Sequence, residues 1–304
     1  MSKIDMSESE EAHLPGILYM LAGVFVLSIM DGVAKWLVEA DYSVFQILAI
    51  RGWMIIFVFL AYHSYRGTLS SLKTTRLHHH ILRACIGFFA PFCFFTAIGQ
   101  MPLADTVVIF FAAPFIMSAL SFFLLKEQVG IHRWTAMAIG FIGVIIVTQP
   151  GGGSIQPAVF YAIAGCISYS LINIMTRWMS ATEPSHRFVF FFNAGTAIIG
   201  SCALPFVWKS MPLVDLAILF SLAGIALTGH LLMTKAFASA PISVVAPFEY
   251  TALLWSTIIG FLVWGDFPAE HIWLGASIIL ISGLYMLHRE RVRKINGTRK
   301  FIPK

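Results

Sequence analysis

The feature that most constrains this chain is a series of ten long apolar segments joined by short polar connections. Most of them approach or exceed the roughly 20 residues with which an α-helix crosses the hydrocarbon core of a bilayer. A helix suits that environment because it satisfies its backbone hydrogen bonds internally. We predict helices at residues 14–37, 44–64, 79–99, 104–125, 134–149, 157–178, 187–207, 214–235, 242–264 and 271–288. The sequence therefore predicts an all-α integral membrane protein with ten transmembrane helices.

The composition excludes a soluble protein. Hydrophobic residues make up 58% of the chain and charged residues 12%, whereas a soluble domain is usually about 45–50% apolar and about 25% charged. The net charge of +5 does not indicate a nucleic-acid partner, because the basic residues lie between and after the apolar segments. The four cysteines lie inside apolar segments without the spacing of metal ligands. We expect no metal and no cofactor.

The distribution of basic residues predicts the orientation of the chain. If the N-terminus is cytoplasmic, seventeen of the 20 Lys and Arg residues fall in inner segments, and the outer loops carry only Lys209. Cytoplasmic loops of membrane proteins are enriched in Lys and Arg. We therefore predict that the N-terminal segment 1–13 and the basic tail 289–304 both lie in the cytoplasm.

The two halves of the chain, residues 14–149 and 157–288, resemble each other. Matched positions at offsets of 142 and 139 are Ser28 and Ser170, Asp31 and Asn173, Lys35 and Arg177, Trp36 and Trp178, Pro102 and Pro241, Glu127 and Asp266, and Trp134 and Trp273. Each half holds five predicted spans, and an odd number inserts the second half upside down. Many secondary transporters are such inverted repeats, with the solute site between the halves. We predict a 5+5 inverted repeat of this kind.

Two similar turns carry a more specific resemblance. They run from Ala97 to Pro114 and from Ala236 to Pro247, and each leads into a helix rich in proline and small residues. With its five-plus-five helices, the chain resembles the EamA family of the drug/metabolite transporter superfamily over roughly residues 14–288. The resemblance implies a ten-helix bundle around a central cavity, transport of a small organic solute in either direction, and a bacterial inner membrane.

Charged residues inside a membrane span are costly and are candidates for function. Asp31 and Arg51 lie ten residues either side of the predicted hairpin turn near residue 41, so both should have the same depth. Lys35 lies one helical turn from Asp31, on the same face. We predict an ion pair between Asp31 and Arg51. It either gates or lines the solute path, or it holds the hairpin together.

Polar residues of the second half extend this prediction. Asn173 and Asn193 correspond to Asp31 and Arg51 in the repeat, and they either contact solute or form hydrogen bonds between helices.

His230 and Glu249 lie at similar distances from the predicted turn near residue 239, and should share a depth. A carboxyl group in an apolar cavity beside a histidine can exchange protons or bind solute. The alternative is a neutral hydrogen-bonded pair. Tyr250 is expected on a different face, as a wall residue.

These features together predict a secondary transporter of a small metabolite. The overall pattern is similar to family branches that import vitamins or nucleoside-like solutes, and it favours uptake of riboflavin or a similar solute. Import of S-adenosylmethionine and export of amino acids or chelators are alternatives. An integral-membrane lipid-modifying enzyme would need His, Asp or Glu clustered at one membrane face, whereas these charges are divided between the two leaflets. Two further partners are left open by the sequence. They are protons as coupling ions and a second copy of the chain in a homodimer.

Overall fold

The computed structural model describes residues 3–126, 130–149 and 156–299, with side chains described from 14 to 289 except in those gaps and at residues 242–243. The ends of the predicted terminal segments, residues 1–2 and 300–304, lie outside the described residues. Within this part of the chain, ten helices are long and apolar enough to cross a membrane, and no strand occurs. The shortest is Ile131–Thr148, with 18 residues. The prediction of an all-α protein with ten spans is confirmed.

The helices follow one another with short connections. They are α1 Lys3–Glu39, α2 Val44–Tyr65, α3 Leu77–Ile98, α4 Leu103–Phe110, α5 Ala113–Leu125, α6 Ile131–Thr148, α7 Pro157–Met179, α8 Ser185–Val207, α9 Leu213–Ser239, α10 Ile242–Val245, α11 Thr251–Trp264 and α12 Glu270–Arg299. Short 3-10 helices cover Leu69–Leu72 and Ala246–Tyr250.

Two spans that were predicted as continuous helices, 104–125 and 242–264, are interrupted. The fourth span turns at residues 111–112, immediately before Pro114, and the ninth begins with the 3-10 segment that contains Pro247. Proline removes a backbone donor and clashes with the preceding turn of an α-helix. Pro114 leaves the Phe110 carbonyl without an α-helical donor, and the thiol group of Cys166 on α7 donates to this carbonyl at 3.9 Å. A side chain of a neighbouring helix thus compensates the break, as is typical in membranes.

Helices of the two halves pack against each other across the bundle. The main pairings are α1 with α9, α3 with α7, α2 with α8, and α6 with α12. If the second half is mapped onto the first, the α1–α9 pairing corresponds to α7–α3, and the other two pairings map onto themselves. This arrangement is compatible with a repeat, but the inverted repeat itself stays a prediction.

The close approach of α6 and α12 depends on two facing glycines. A Cβ atom on Gly143 would lie 2.9 Å from the Gly275 carbonyl oxygen, and a Cβ atom on Gly275 would lie 2.7 Å from the Gly143 carbonyl oxygen. Small residues let helix backbones approach closely in membranes, where van der Waals packing replaces the hydrophobic effect. Three buried apolar clusters of the described residues complete the core, one around α4 to α7 and α12, a second around α1 to α3, and a smaller one where α1 meets α9 and α10.

One end of the bundle contains a buried polar cluster around Glu183, in the connection between α7 and α8. The Glu183 carboxylate accepts hydrogen bonds from Thr74 at 2.8 Å and from Arg187 at 2.9 Å, and lies 3.3 Å from His80. Burial by itself would raise the pKa of Glu183, but the hydrogen bonds from Arg187, Thr74 and His80 outweigh it and hold the pKa below its ordinary value. The charged carboxylate therefore ties α3 and α8 together.

Candidate functional site

A central cavity of about 290 Å³ lies between the two halves of the chain. This volume is near the lower end of the range of about 300–1,000 Å³ that is typical of sites for small ligands. Its wall comes from α1, α3, α4, α5, α7, α9, α11, α12 and the 3-10 segment. The polar side chains that line it are Ser28, Asp31, Tyr169, Glu249 and Tyr250. No lysine, arginine or histidine of the described chain lines the cavity.

The interrupted spans place several of these side chains. The 3-10 segment presents Ala246, Glu249 and Tyr250 to the cavity, so more than one of its faces is in contact with the enclosed space. Tyr250 and Glu249 therefore line the same cavity. A 3-10 helix has 3.0 residues per turn instead of 3.6, so the direction of each side chain departs from the one that a continuous α-helix predicts.

Glu249 has no basic partner among the described side chains. Its electrostatic neighbours are the phenol groups of Tyr169 and Tyr250, and no described side chain forms a hydrogen bond or ion pair with its carboxyl group. His230 is exposed and interacts electrostatically with Arg51 on α2. The predicted Glu249–His230 pair is therefore wrong. Equal depth does not bring two side chains together when their helices present them in different directions.

Asp31 and Arg51 lie in the same neighbourhood without direct contact. Asp31 lines the cavity, while Arg51 is buried and interacts with Asp31 electrostatically. Arg51 lies 4.0 Å from the sulfur of Met30 and 5.6 Å from the ring centre of Phe95. Both side chains are described, yet no contact within 4 Å joins them, so the predicted ion pair in the strict sense is wrong. Arg51 is instead a nearby positive charge behind the cavity wall.

Lys35 forms its ion pairs and its hydrogen bond with residues other than Asp31. Its ammonium group lies 3.2 Å from Asp266 and 3.6 Å from Glu39, and it donates to the Met101 carbonyl at 3.1 Å. Only 3% of Lys35 is exposed. Lys35 thus contacts the next turn of α1 and the connections before α4 and after α11.

Two further residues join this group, which we call the Lys35 cluster (Lys35, Glu39, Asp105, Trp264 and Asp266). The Trp264 indole donates to Glu39 and lies 5.0 Å from the Lys35 ammonium group. Asp105 interacts electrostatically with Lys35 and Asp266, and one of its oxygens is buried without a hydrogen bond. The cluster begins one helical turn beyond Asp31, so it closes one end of the cavity.

The side chains of Asn173 and Asn193 form no hydrogen bond with each other. Each amide donates to a carbonyl group four residues earlier in its own helix, Asn173 to Tyr169 at 2.7 Å and Asn193 to Val189 at 2.8 Å. Neither residue lines the cavity. A role in solute contact or in bonding between helices, which we predicted from the repeat, stays untested for both residues.

Aromatic rings form a wall that the sequence analysis missed. The ring centres of Phe94 and Phe110 are 4.8 Å apart, and those of Phe110 and Tyr169 are 6.4 Å apart. Phe111 meets Tyr250 edge to face at 5.0 Å. The chain has 27 Phe residues, so composition could not single these out. Tyr169 was the one member of this wall that the sequence could have indicated, because its ring carries a hydroxyl group in the middle of a span, one turn before Asn173.

A larger groove of about 450 Å³ lies beside exposed Trp36, between α1, α9 and α11. No titratable side chain lines it. It offers nothing to orient a polar solute, so the central cavity is the better candidate.

Comparison with known proteins identifies the family. The profile of the EamA-like transporter family matches residues 14–149. This first half belongs to the EamA-like transporter family. The resemblance found in the sequence is thereby confirmed, and the family points to a multi-pass membrane transporter and not to an enzyme.

Relatives that align with nearly the whole chain carry transporter names. The S-adenosylmethionine uptake transporter of Rickettsia bellii (strain RML369-C) is 27% identical over 94% of this chain and 98% of its own length. The riboflavin transporter of Rhizobium johnstonii (strain DSM 114642 / LMG 32736 / 3841) is 25% identical over 97% and 98%, respectively. A solved structure described only as the crystal structure of a protein has a TM-score of 0.60 at 18% identity, and covers 94% of this chain and 99% of its own. That likeness shows the fold alone.

Proposed function

We propose that this protein takes up a small cationic metabolite across the bacterial inner membrane, and that S-adenosylmethionine is the solute that fits best. The observation that carries the proposal is the central cavity, in which Asp31 and Glu249 are not balanced by any lysine, arginine or histidine in the described wall. Complementary charge in a low-dielectric cavity favours solutes of the opposite sign. An acidic cavity therefore selects against anionic metabolites.

The chemistry of S-adenosylmethionine matches two features of the cavity wall, its carboxyl groups and its aromatic rings. At neutral pH it carries a sulfonium, an ammonium and a carboxylate group, and so has a net positive charge. Its adenine ring can pack on the rings of Phe94, Phe110 and Tyr169. The similarity over 94% of the chain to a protein named an S-adenosylmethionine uptake transporter supports the same choice.

Riboflavin, which the sequence favoured, is the second candidate. The aromatic wall and the relatives named riboflavin transporters support it. Riboflavin is neutral, however, and would leave the carboxyl group of Glu249 without a counter-charge in an apolar cavity, which is unfavourable.

The membrane potential can drive the uptake of a cationic solute. Each positive charge that moves inward gains about 2.3 kcal/mol per 100 mV of inside-negative membrane potential. At 100 mV this corresponds to about fifty-fold accumulation of a singly charged solute. Both termini are placed in the cytoplasm in this proposal, on the strength of the Lys and Arg distribution. Coupling to protons through Glu249 is the alternative.

Transport into vesicles that contain the purified protein tests the proposal. Radiolabelled S-adenosylmethionine and riboflavin are supplied outside, and a potassium gradient with valinomycin imposes an inside-negative potential. We expect S-adenosylmethionine uptake to rise with the potential and to be insensitive to a pH gradient at zero potential. Uptake of riboflavin alone would establish the second candidate. Uptake that follows the pH gradient instead would support proton coupling.

A further inference from the structure

Glu249 differs from Asp31, the other carboxyl group of the cavity, because no counter-charge for it occurs in the described part of the chain. Asp31 has Arg51 as an electrostatic neighbour, whereas no described basic side chain plays that role for Glu249. An isolated charged carboxylate in an apolar site is very costly, so it requires either a proton or a cation from outside the protein. In the solute-bound cavity, the group that meets Glu249 is therefore expected to be positively charged.

The surroundings of Glu249 are mainly aromatic rings, and the phenol oxygens of Tyr169 and Tyr250 are the acceptors that they carry. Tyr169 and Tyr250 lie close enough to interact electrostatically with its carboxyl group, and Phe111 packs edge to face on Tyr250 at 5.0 Å. All four residues line the same cavity. The position of Tyr250 is defined by packing, because even a Cβ atom on Gly283 would collide with its hydroxyl group. The carboxyl group thus lies among aromatic side chains with defined positions.

This combination suits one type of cation. A protonated amine keeps three N–H donors that must find acceptors when it leaves water. A sulfonium or quaternary ammonium group has no such donors, and aromatic faces together with a carboxylate bind it well. The scarcity of acceptors around Glu249 therefore favours the cation that needs none.

We propose that Glu249, Tyr169, Tyr250 and Phe111 form a subsite for an onium centre, the sulfonium or quaternary ammonium group of the transported solute. The inference rests on the proposed function, because it names the chemical group that the same cavity recognises. It extends the proposed function by assigning the positive charge of the solute to one end of the cavity, while Asp31 stays free for another group.

Equilibrium binding to the purified full-length protein in detergent tests the subsite. The first probe pair is choline and 3,3-dimethyl-1-butanol, which have the same shape but differ in charge. The second pair is S-adenosylmethionine and S-adenosylhomocysteine, which differ by the sulfonium methyl group. We expect the charged member of each pair to bind at least about tenfold more tightly to the unaltered protein, a difference of about 1.4 kcal/mol.

Variants of the protein test which residue is responsible for the preference for the charged probe. Glu249→Gln is expected to abolish the preference for the charged member of each pair. Tyr250→Phe, which keeps the aromatic face, is expected to preserve the preference. Asp41→Asn removes a carboxylate from the exposed turn after α1 and serves as the matched control.

The outcomes separate this inference from the proposed function. If choline is preferred but S-adenosylmethionine does not bind, the subsite stands and S-adenosylmethionine is the wrong solute. If S-adenosylmethionine binds no better than S-adenosylhomocysteine and choline no better than its neutral isostere, the subsite is refuted even where uptake is observed. Since both comparisons use the unaltered protein, they hold even if Glu249→Gln does not fold. A preference that persists in a folded Glu249→Gln variant would likewise overturn the assignment.

Discussion

Glu183 joins parts of the chain that are more than 100 residues apart. Its carboxylate accepts from Thr74 in the connection before α3 and from Arg187 on α8, and His80 on α3 lies at 3.3 Å. Only 2% of the Glu183 side chain is exposed. Satisfied polar clusters of this kind stabilise a fold, but loss of one member leaves its buried partners without acceptors.

We expect Glu183→Gln to lower the stability by about 1–3 kcal/mol, the typical cost of leaving a buried polar partner unsatisfied. The thermal unfolding midpoint in detergent should fall by several degrees relative to the unaltered protein. Asp41→Asn, which removes a carboxylate from an exposed turn, should leave the midpoint unchanged. Equal midpoints for the two variants would contradict a stabilising role for this cluster.

The pH dependence of stability follows from the same contacts. Because hydrogen bonds hold the pKa of Glu183 below the ordinary value of 4.5, the folded state binds this proton less readily than the unfolded state. The stabilising contribution is complete above pH 4.5 and is lost as the pH falls through the lower folded pKa. Melting curves should therefore show a smaller acid-induced decrease for Glu183→Gln than for the unaltered protein.

At the scale of helices, the Lys35 cluster is the contact that closes one end of the cavity. It joins α1 to the connections before α4 and after α11 through Lys35, Met101 and Asp266. A buried ammonium group needs compensating charge, and loss of one carboxylate partner is strongly unfavourable. We expect opening of the cavity at this end to separate Lys35 from Asp266.

We therefore expect Asp266→Asn to favour opening at the end of the cavity next to the Lys35 cluster. A cysteine in place of Ser28, a buried residue of the cavity wall, reports this opening. Labelling by a small, charged, membrane-impermeant thiol reagent applied from the side of the cluster should be several-fold faster when Asp266→Asn is present. Asp215→Asn, which alters the Tyr42–Asp215 hydrogen bond at the same end, should leave the rate unchanged. Unchanged labelling with Asp266→Asn would mean that the cluster is structural only.

At the scale of the whole molecule, orientation in the membrane determines what the cavity does. The Lys35 cluster lies at the end of the bundle that contains residues 40–43 and 265–269, and the Glu183 cluster lies at the end with residues 66–76. The distribution of Lys and Arg predicts that the first end is external and the second cytoplasmic. Uptake would then begin with opening at the Lys35 cluster.

Single exposed cysteines test this orientation directly. Ser70 lies in the connection between α2 and α3, and Ser210 in that between α8 and α9, and both are exposed. In intact cells an impermeant maleimide should label Ser210→Cys and should label Ser70→Cys only after lysis. The parent chain, whose exposed cysteines Cys85 and Cys202 lie within spans, gives the background. Labelling of Ser70→Cys in intact cells would reverse the predicted topology.

Hydropathy along the chain was sufficient to predict the spans and their approximate ends, and two similar proline-containing turns carried the family resemblance. The spans depend on runs of consecutive residues, because a helix in lipid must be apolar over its own length. The breaks near Pro114 and Pro247 were less predictable, since proline within a membrane helix causes a bend in some settings and none in others. Pro205, for example, lies within the uninterrupted helix α8.

The grouping of side chains depended on packing. Depth was estimated well enough to bring Asp31 and Arg51 into one neighbourhood, but not to pair Glu249 with the right partners. Lys35 meets Asp266 across 231 positions of sequence, and Glu249 meets Tyr169 because the 3-10 segment and α7 enclose the same cavity. The direction of a side chain around its helix axis is set by the neighbouring helices and connections, and no local pattern in the sequence specifies it.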